Sequence, residues 1–252
     1  MDNIRTSLIT GASSGIGAAL ALALARPDAM LHLSGRDQAR LDAVAASCRD
    51  RGASVECKVL DVCQAAAMAD WIGAAGNLDL VVANAGTSAG SPDGRPENAA
   101  QTRAIFDVNL GGVLNTVLPA MELMARQSPG SDGTRGRIAA IASIAAFVVA
   151  PGSPAYCASK AAVDRWMLAT APAARRNGVV LTSICPGYIS TAMTAGYPYP
   201  MPGLMDADRA ARIILRGVAA KRTHVVFPWW MGLAARIAGL LPPRVIGAVR
   251  RR

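Results

Sequence analysis

A tyrosine and a lysine stand four residues apart in the segment YCASK, at Tyr156 and Lys160. The segment is rich in alanine and is predicted to be helical, so the two side chains would share one helix face. A free tyrosine has a pKa of about 10, and a nearby ammonium lowers it by roughly 1–3 units because it favours the phenolate. Such a pair could exchange a proton with a bound oxygen at neutral pH. An isolated YxxxK is more often an exposed pair on an amphipathic helix, so the other polar residues decide the interpretation.

Two polar residues precede this pair at positions where chemistry is expected. Ser143 ends the strand-like segment RIAAIAS, and Asn109 lies in a helical stretch predicted at 99–125. In parallel α/β sheets, ligands bind at the carboxyl ends of the strands. The residues that follow each predicted strand are therefore the candidates for a site.

A glycine-rich turn follows the first predicted strand. The segment TGASSGIG begins at Thr10 and contains Gly11, Gly15 and Gly17. Gly11 permits a tight turn, while Gly15 and Gly17 let the backbone approach a pyrophosphate and let the helix pack close to the strand. The strand before the turn and the helix after it make a nucleotide-binding interpretation much stronger than the glycines alone would.

The second predicted strand ends in SGRD, from Ser34 to Asp37. A site that prefers NAD usually has a carboxylate here for the ribose 2′-hydroxyl, but this chain has Gly35 followed by Arg36. A guanidinium suits a 2′-phosphate, which predicts a preference for NADP(H), with NAD(H) as a second cofactor. Alternatively, Arg36 only solvates a loop and Asp37 caps the next helix.

Strand-like segments alternate with helical ones along the chain. Strands that are apolar throughout and alternate with helices predict a parallel sheet covered on both faces, in one α/β domain. The helical segments include 99–125, 153–176 and one from Asp206 to Ala220. The predicted strands are TSLIT, AMLHLSG, ASVECKVLD, LDLVVAN, RIAAIAS, GVVLTSI and THVVF.

These segments together resemble a short-chain dehydrogenase/reductase of the one-domain type, along nearly the whole chain to about residue 227. The TGxxxGxG loop appears as TGASSGIG, the NNAG motif as ANAG at 83–86, and the helix asparagine as Asn109. The strand-five serine appears as Ser143, YxxxK as YCASK, and the PG motif as PGYIST at 186–191. Ala83 replaces the first asparagine of NNAG, a mainly structural motif. The resemblance implies a Rossmann-like doubly wound sheet of about seven strands in the order 3-2-1-4-5-6-7.

The resemblance also implies a role for each motif residue. Tyr156 would exchange the proton with the substrate oxygen, Lys160 would lower the tyrosine pKa and hold the ribose hydroxyls, and Ser143 would stabilise the carbonyl oxygen. Asn109 would kink its helix and order a water between Lys160 and solvent. Residues 61–62 would line the adenine pocket and 84–86 would lie along the cofactor. Pro186, Gly187, Ile189 and Thr191 would face the nicotinamide amide. The implied cofactor-binding residues are Gly11, Ser13, Ser14, Gly15, Ile16, Gly17, Arg36, Asp61, Val62, Asn84, Ala85, Gly86, Tyr156, Lys160, Pro186, Gly187, Ile189 and Thr191.

Composition places the chain among globular proteins. Of its 252 residues, 52% are hydrophobic and 17% are charged. The five cysteines are odd in number and lack a Cys-x-x-Cys, which predicts reduced thiols in a cytoplasmic protein. With His32 and His224 as the two histidines, no His/Cys cluster is expected to hold a metal. Cys157 and Cys185 flank the predicted site and are expected to pack rather than to act as nucleophiles.

The positive charge is concentrated late in the chain. The net charge is +9, and the stretch from Asp206 to Arg252 holds ten basic and two acidic residues. The tail 229–252 combines tryptophans, aliphatic residues and arginines, and is predicted to form two short apolar helices joined by Pro242–Pro243. This pattern suits peripheral contact with an anionic membrane; a lid over the substrate site or a subunit interface is the simpler alternative. No signal-peptide pattern, apolar run of roughly 18 residues or nucleic-acid-reading module is found.

The predicted substrate loop, TAMTAGYPYPMPGLM from Thr191 to Met205, carries no charge. The turn after Ser143, IAAFVVAPGSPA, is also apolar. A pocket built from these segments favours a hydrophobic ketone, aldehyde or alcohol, although lid loops are also often apolar because they pack.

We therefore predict an NADP-dependent short-chain oxidoreductase, acting as a carbonyl reductase on an apolar substrate, in a catalytic domain at 1–228 with a tail at 229–252. A non-catalytic NADP(H)-binding sensor or scaffold is the alternative, and the retained proton-transfer set counts against it. A sugar-nucleotide epimerase is disfavoured by chain length and glycine spacing. By family analogy, the helices at 99–125 and 153–176 would form the interface of a homodimer or homotetramer.

Overall fold

The computed structural model describes residues 4–88, 97–196 and 200–240. Seven parallel strands form one sheet in the order β3-β2-β1-β4-β5-β6-β7, which confirms the predicted fold class and strand order. Each predicted strand segment overlaps an observed strand. The strands are β1 Thr6–Ile9, β2 Met30–Gly35, β3 Ser54–Val59, β4 Leu80–Ala83, β5 Gly136–Ile141, β6 Val179–Pro186 and β7 His224–Phe227.

Helices cover both faces of this sheet. Leu20, Leu41 and Ile214 pack on one face, and Met68, Val117 and Val163 pack on the other. A chain that alternates parallel strands with helices must cross over the sheet at each connection, so both faces become buried. The helices are α1 Gly15–Leu24, α2 Gln38–Arg49, α3 Ala65–Ala74, α4 Ala99–Phe106, α5 Gly112–Arg126, α6 Pro154–Arg176, α7 Ala207–Ala219 and α8 Trp229–Gly239.

Burial along the strands follows their place in the sheet. Every residue of β4, β5 and β6 is buried, as expected for central strands with helices on both faces. Strand β3 lies at the edge and carries Glu56 and Lys58 on largely exposed positions. Charged side chains on an edge strand oppose pairing with another sheet.

The predicted helix at 99–125 is interrupted at the position where a kink was expected. A π-helical turn at Asp107–Gly111 separates α4 from α5, and Asn109 lies within it. Such π turns re-aim the residues they contain and are frequent at functional sites. By length and composition, the helical stretch Ala99–Arg126 could cross a membrane. The search of the sequence for an unbroken apolar run of roughly 18 residues did not find this stretch. Its side chains at Val113, Val117 and Met124 are instead buried against the sheet.

The tail begins with α8, which confirms the first of its two predicted helices. The predicted second helix, the Pro242–Pro243 joint and the arginines at 244 and 250–252 lie outside the described residues. Residues 89–96 of the predicted loop 87–98 and residues 197–199 of the substrate loop lie outside them as well. The division into a domain 1–228 and a tail 229–252 stays a prediction.

Candidate active site

A cleft of about 790 Å³ runs along the carboxyl ends of the strands, where parallel sheets bind ligands. Every predicted site residue lines it except Gly17 and Asn109. Ala192, Met193 and Thr194 of the predicted substrate loop also line it. The sequence analysis did not assign several other lining residues to the site. These are Gly35, Asp37, Gln38, Arg40, Leu60, Val108, Ile141 and Ala142.

The glycine turn packs against the loop after β4. Gly11 has φ +66°, and a Cβ there would lie 2.8 Å from the Cα of Ala85, so both its conformation and its surroundings require glycine. A Cβ on Gly17 would overlap the carbonyl oxygen of Gly11, which explains why Gly17 lies beneath the turn and not in the cleft. Gly15 does face the cleft, where a Cβ would lie 3.0 Å from Thr191 Cγ2.

Thr10 and Asn84 hold this turn in place. The Thr10 hydroxyl accepts hydrogen bonds from the backbone N–H of Asn84 at 3.0 Å and of Ala85 at 3.2 Å. The Asn84 side chain in turn donates to the carbonyl oxygens of Thr10 at 2.9 Å and Gly11 at 3.1 Å. The ANAG segment is therefore a structural clasp for the glycine turn, as expected for that motif.

The start of α1 fits an anionic ligand. Ser14 occupies the N-cap position, and its side chain makes no capping hydrogen bond to the helix. The amides of the first turn of an α-helix have no intrahelical partner and carry partial positive charge. Because Ser14, Gly15 and Ile16 all line the cleft, these donors are available to a pyrophosphate there. The residues present thus fit a dinucleotide.

Tyr156 and Lys160 lie in the first turns of α6 and both line the cleft. Lys160 Nζ is 5.9 Å from the centroid of the Tyr156 ring and donates a 2.8 Å hydrogen bond to the carbonyl oxygen of Ile141. The lysine is fully buried, and this burial lowers its pKa to about 8. It therefore remains mostly an ammonium at neutral pH, close to the tyrosine whose phenolate it would favour.

Ser143 reaches the same end of the cleft from the carboxyl end of β5. Its hydroxyl oxygen accepts a 3.1 Å hydrogen bond from the N–H of Ala145 and so caps the 3-10 turn Ile144–Phe147. This bond uses an oxygen lone pair and not the hydroxyl proton, which can be donated to a substrate oxygen. The capping interaction fixes the side chain on the cleft wall.

Asn109 lies outside the cleft lining and positions the residues next to it. Its side chain exchanges two hydrogen bonds with the backbone of Thr87, at 2.8 and 2.9 Å, and donates to Ser159 Oγ at 3.1 Å. A Cβ on Gly86 would lie 3.2 Å from Asn109 Oδ1 and 3.3 Å from Lys160 Nζ, so all three groups converge. The structure joins α6, the π turn and the loop after β4 at this point; the ordered water predicted beside Asn109 stays a prediction.

Comparison with known proteins agrees with this geometry. The family model described as short chain dehydrogenase matches residues 5–199. The chain belongs to the short-chain dehydrogenase family. It is 35% identical over 252 residues to an uncharacterised oxidoreductase of Myxococcus xanthus, covering 98% of this chain and 97% of that protein. It is 33% identical over 247 residues to 11-beta-hydroxysteroid dehydrogenase 1A of Arabidopsis thaliana, covering 88% and 68% of the two chains.

A solved structure shares the fold of this short-chain dehydrogenase over most of its length. It is a short-chain dehydrogenase from Sphingobium yanoikuyae in complex with NADPH, with a TM-score of 0.79 and 27% identity, covering 94% of this chain and 95% of that one. The family assignment makes this protein an oxidoreductase that binds a nicotinamide cofactor and acts on a carbonyl or alcohol.

The far end of the cleft contains the residues that follow β2 and β3. Arg36 lines the cleft, and a Cβ on Gly35 would lie 3.1 Å from both Cβ and Oγ of Ser13. Asp37 caps α2 by accepting from the N–H of Arg40 at 3.0 Å and pairs with the Arg40 side chain at 2.7 Å. Asp37 thus caps the helix as in the alternative interpretation, while Arg36 is exposed and lines the cleft. Its contact with a 2′-phosphate stays a prediction.

Asp61 closes the same end. Its carboxylate accepts a 2.9 Å hydrogen bond from the N–H of Cys63. That hydrogen bond and the nearby Arg36 guanidinium keep the pKa of Asp61 below its usual value. The hydrogen bond from Cys63 to the ionised Asp61 orders the loop after β3. Its predicted contact with adenine stays a prediction.

Three residues of metal-ligating types meet between α6, β6 and β7 of this short-chain dehydrogenase, a juxtaposition that the sequence did not predict. The ligand-type atoms of Asp164, Cys185 and His224 lie within 4.8 Å of one another. The expectation that no metal is held stays a prediction. Asp164 Oδ1 lies 3.0 Å from His224 Nε2 and accepts from Ser183 Oγ at 2.6 Å and from Cys185 Sγ at 3.4 Å. These residues are distant in sequence and meet because α6, β6 and β7 pack together. Burial and the adjacent carboxylate raise the pKa of Cys185, which leaves it an unreactive thiol as expected.

Proposed function

We propose that this protein is an NADP(H)-dependent carbonyl reductase for an apolar substrate. The observation that carries the proposal is that one cleft joins the uncapped start of α1, Arg36, and the Ser143–Tyr156–Lys160 set. The first two features suit the phosphates of a dinucleotide, and the third suits proton transfer to an oxygen. A sensor or scaffold would need only the first two.

The chain's own groups divide the chemistry among them. When bound, NADP(H) supplies or accepts the hydride at the carbonyl carbon. The Ser143 hydroxyl donates a hydrogen bond to the substrate oxygen and orients it. Tyr156 gives its phenolic proton to that oxygen, so an alcohol O–H forms and a phenolate remains. The buried Lys160 ammonium stabilises this phenolate, and Asn109 holds the loop that packs against the lysine.

NADP(H) rather than NAD(H) is the proposed cofactor. Gly35 leaves the end of β2 without a carboxylate, Arg36 lies next to it on the cleft, and the Sphingobium relative binds NADPH. We expect Arg36→Leu to raise the Michaelis constant for NADPH by at least about tenfold while changing that for NADH little, since a charged hydrogen bond contributes about 1.5–3 kcal/mol. Arg103→Leu, on the exposed side of α4, is the matched control. Equal losses with both cofactors would contradict a 2′-phosphate contact.

An apolar substrate is favoured by the wall beside Ser143 and Tyr156. Ile189, Ala192 and Met193 line this end of the cleft, and the Arabidopsis relative is called a hydroxysteroid dehydrogenase. The test is NADPH oxidation over ketones and aldehydes of increasing chain length, with NADH in parallel and Ser143→Ala as the variant. Turnover that rises with chain length and falls at least about tenfold in Ser143→Ala supports the proposal. Tight NADPH binding without turnover on any compound would favour the sensor function.

We further propose a cytoplasmic homodimer or homotetramer that buries the helical stretch 99–125, which comprises α4 and α5, together with α6 at 153–176, by analogy with the family. Leu118 on α5 is 47% exposed, which supports an additional contact on that face. Light scattering after gel filtration measures the mass, and Leu118→Arg is expected to lower it. A monomeric wild-type protein would contradict this assembly.

A further inference from the structure

Helix α8 presents an apolar face to solvent. Its members recur three, four or seven positions apart and therefore lie on one side of the helix. A contiguous exposed patch of large apolar side chains usually marks an interaction surface. The exposed fractions in this apolar stripe are 75% for Trp229, 43% for Trp230, 51% for Leu233, 56% for Ile237 and 85% for Leu240.

The opposite face of α8 holds the helix on the domain. A Cβ on Gly232 would overlap Val226 of β7, and Ala235 is buried. The Arg236 guanidinium stacks on Phe147, 4.6 Å from the ring centroid, and approaches His224 Nδ1 at 3.4 Å. The stripe is thus a fixed surface of the domain and not the inner side of a loosely attached segment.

Charge distinguishes between the candidate occupants of this stripe. No acidic residue follows Asp208 in the sequence, and the twelve residues after Leu240 include four arginines. Two copies of this basic region brought face to face would repel each other, whereas an anionic surface would attract it. Tryptophans beside aliphatic and basic residues are the composition of helices that lie in the bilayer interface.

We propose that α8 docks this protein on the surface of an anionic phospholipid bilayer. The helix would lie parallel to the bilayer with the apolar stripe among the upper acyl chains, and the net positive charge of this part of the sequence would favour anionic lipid. The stripe residues lie outside the cleft lining, so docking does not compete with binding in the cleft.

Docking would also bring the substrate end of the cleft to the bilayer. Met231 lies against Gly187 on the cleft wall, and the Trp230 ring packs on Gly203 of the substrate loop. Val149 and Leu204 add exposed apolar surface from loops near this end. This extension rests on the proposed function: an apolar substrate dissolved in the bilayer would reach Tyr156 without crossing bulk water.

The test is sedimentation of the full chain with vesicles of phosphatidylcholine alone or with about 30% phosphatidylglycerol. We expect binding to the anionic vesicles, weaker binding to neutral ones, and release when salt rises from roughly 50 to 500 mM. The triple variant Trp229→Ser, Leu233→Ser, Ile237→Ser should lose at least about tenfold in vesicle affinity, because its apolar contact is removed. Val59→Ser, at the opposite edge of the sheet and 47% exposed, should bind like wild type.

Several results would overturn the docking proposal. They are a wild-type protein that stays in the supernatant at low salt, a triple variant that binds as well as wild type, and a wild-type dimer that the triple variant splits. NADPH binding by the triple variant shows that it is folded. Because sedimentation needs no substrate, vesicle binding without ketone turnover would refute only the proposed function. Turnover of water-soluble ketones without vesicle binding would refute only the docking.

Discussion

Replacing Lys160 with methionine should stabilise the cofactor-free protein while abolishing its activity. Lys160 is fully buried, and burial lowers its pKa from the usual 10.5 to about 8. The difference of roughly 2.5 pH units corresponds to about 3 kcal/mol of free energy that opposes folding with this lysine charged. Methionine fills a similar volume without a charge but loses the hydrogen bond to Ile141, which offsets about 1–2 kcal/mol. We expect a net gain of about 1–2 kcal/mol in the free energy of unfolding near pH 7.

The pH dependence of this gain follows from the direction of the pKa change. Because the pKa of Lys160 is lower in the folded than in the unfolded state, the unfolded state binds more protons between about pH 8 and pH 10.5. The wild-type protein therefore gains stability relative to Lys160→Met as the pH rises through this range. The advantage of the variant should be full below about pH 8 and gone at about pH 9. At about pH 10.5 the variant should be less stable than wild type by about 1–2 kcal/mol, because the burial cost has vanished and the lost hydrogen bond to Ile141 remains.

Urea unfolding of wild type, Lys160→Met and Lys58→Met at about pH 7 and about pH 10 measures these differences. Lys58 is exposed on the edge strand β3, so its replacement should change stability by less than about 0.5 kcal/mol at both pH values. A Lys160→Met protein that is less stable than wild type near pH 7 would refute the burial cost. So would an advantage of equal size at both pH values.

Three further changes test the packing around the site, each followed by urea unfolding and NADPH titration. Gly17→Ala should destabilise the fold and weaken NADPH binding because its Cβ would overlap the carbonyl oxygen of Gly11. Gly73→Ala, on an open face of α3, is the control and should raise the free energy of unfolding by about 0.5–1 kcal/mol. Similar effects of the two substitutions would contradict the close packing of Gly17. Thr10→Val should lower the free energy of unfolding by about 1–3 kcal/mol because two backbone N–H groups lose their acceptor. An unchanged urea midpoint would show that these hydrogen bonds do not stabilise the glycine turn. Asp164→Leu should cost about 2–4 kcal/mol because it leaves buried donors unpaired. Burial alone would raise the pKa of Asp164, but hydrogen bonds from His224 and Ser183 outweigh it and lower this pKa. The loss of stability in Asp164→Leu should therefore persist above about pH 4 and shrink only at lower pH.

The parallel α/β sheet and most of the cleft could be predicted from sequence because their signals are local, whereas the strand order followed from the family resemblance. A glycine turn between a strand and a helix, or a tyrosine four residues before a lysine, is visible in a few consecutive residues. The predicted roles of Gly15 and Gly17 separate in the structure, since Gly15 faces the cleft and Gly17 packs beneath the turn. The sequence pattern contains both glycines but not the direction in which each Cβ would point.

What the sequence could not predict depends on contacts between distant segments. Asp164, Cys185 and His224 come from three elements, and none has a neighbour in sequence that reveals the cluster. The π turn at Asn109 was predicted only as a kink, because its i→i+5 bonds are set by packing of the side chain on Thr87 and Ser159. The direction of the α8 stripe likewise became visible only when the helix was placed on β7.

Proton transfer by Tyr156 is tested most directly by measuring NADPH binding and NADPH oxidation on the same preparation of Tyr156→Phe. The variant keeps the ring and removes the hydroxyl. We predict an NADPH dissociation constant within about threefold of wild type and a turnover number lower by about 10²–10⁴-fold with the best ketone of the panel. Tyr188→Phe, 39% exposed and absent from the cleft lining, should retain wild-type values. Turnover by Tyr156→Phe at a rate close to wild type would contradict the assignment of Tyr156 as the proton donor.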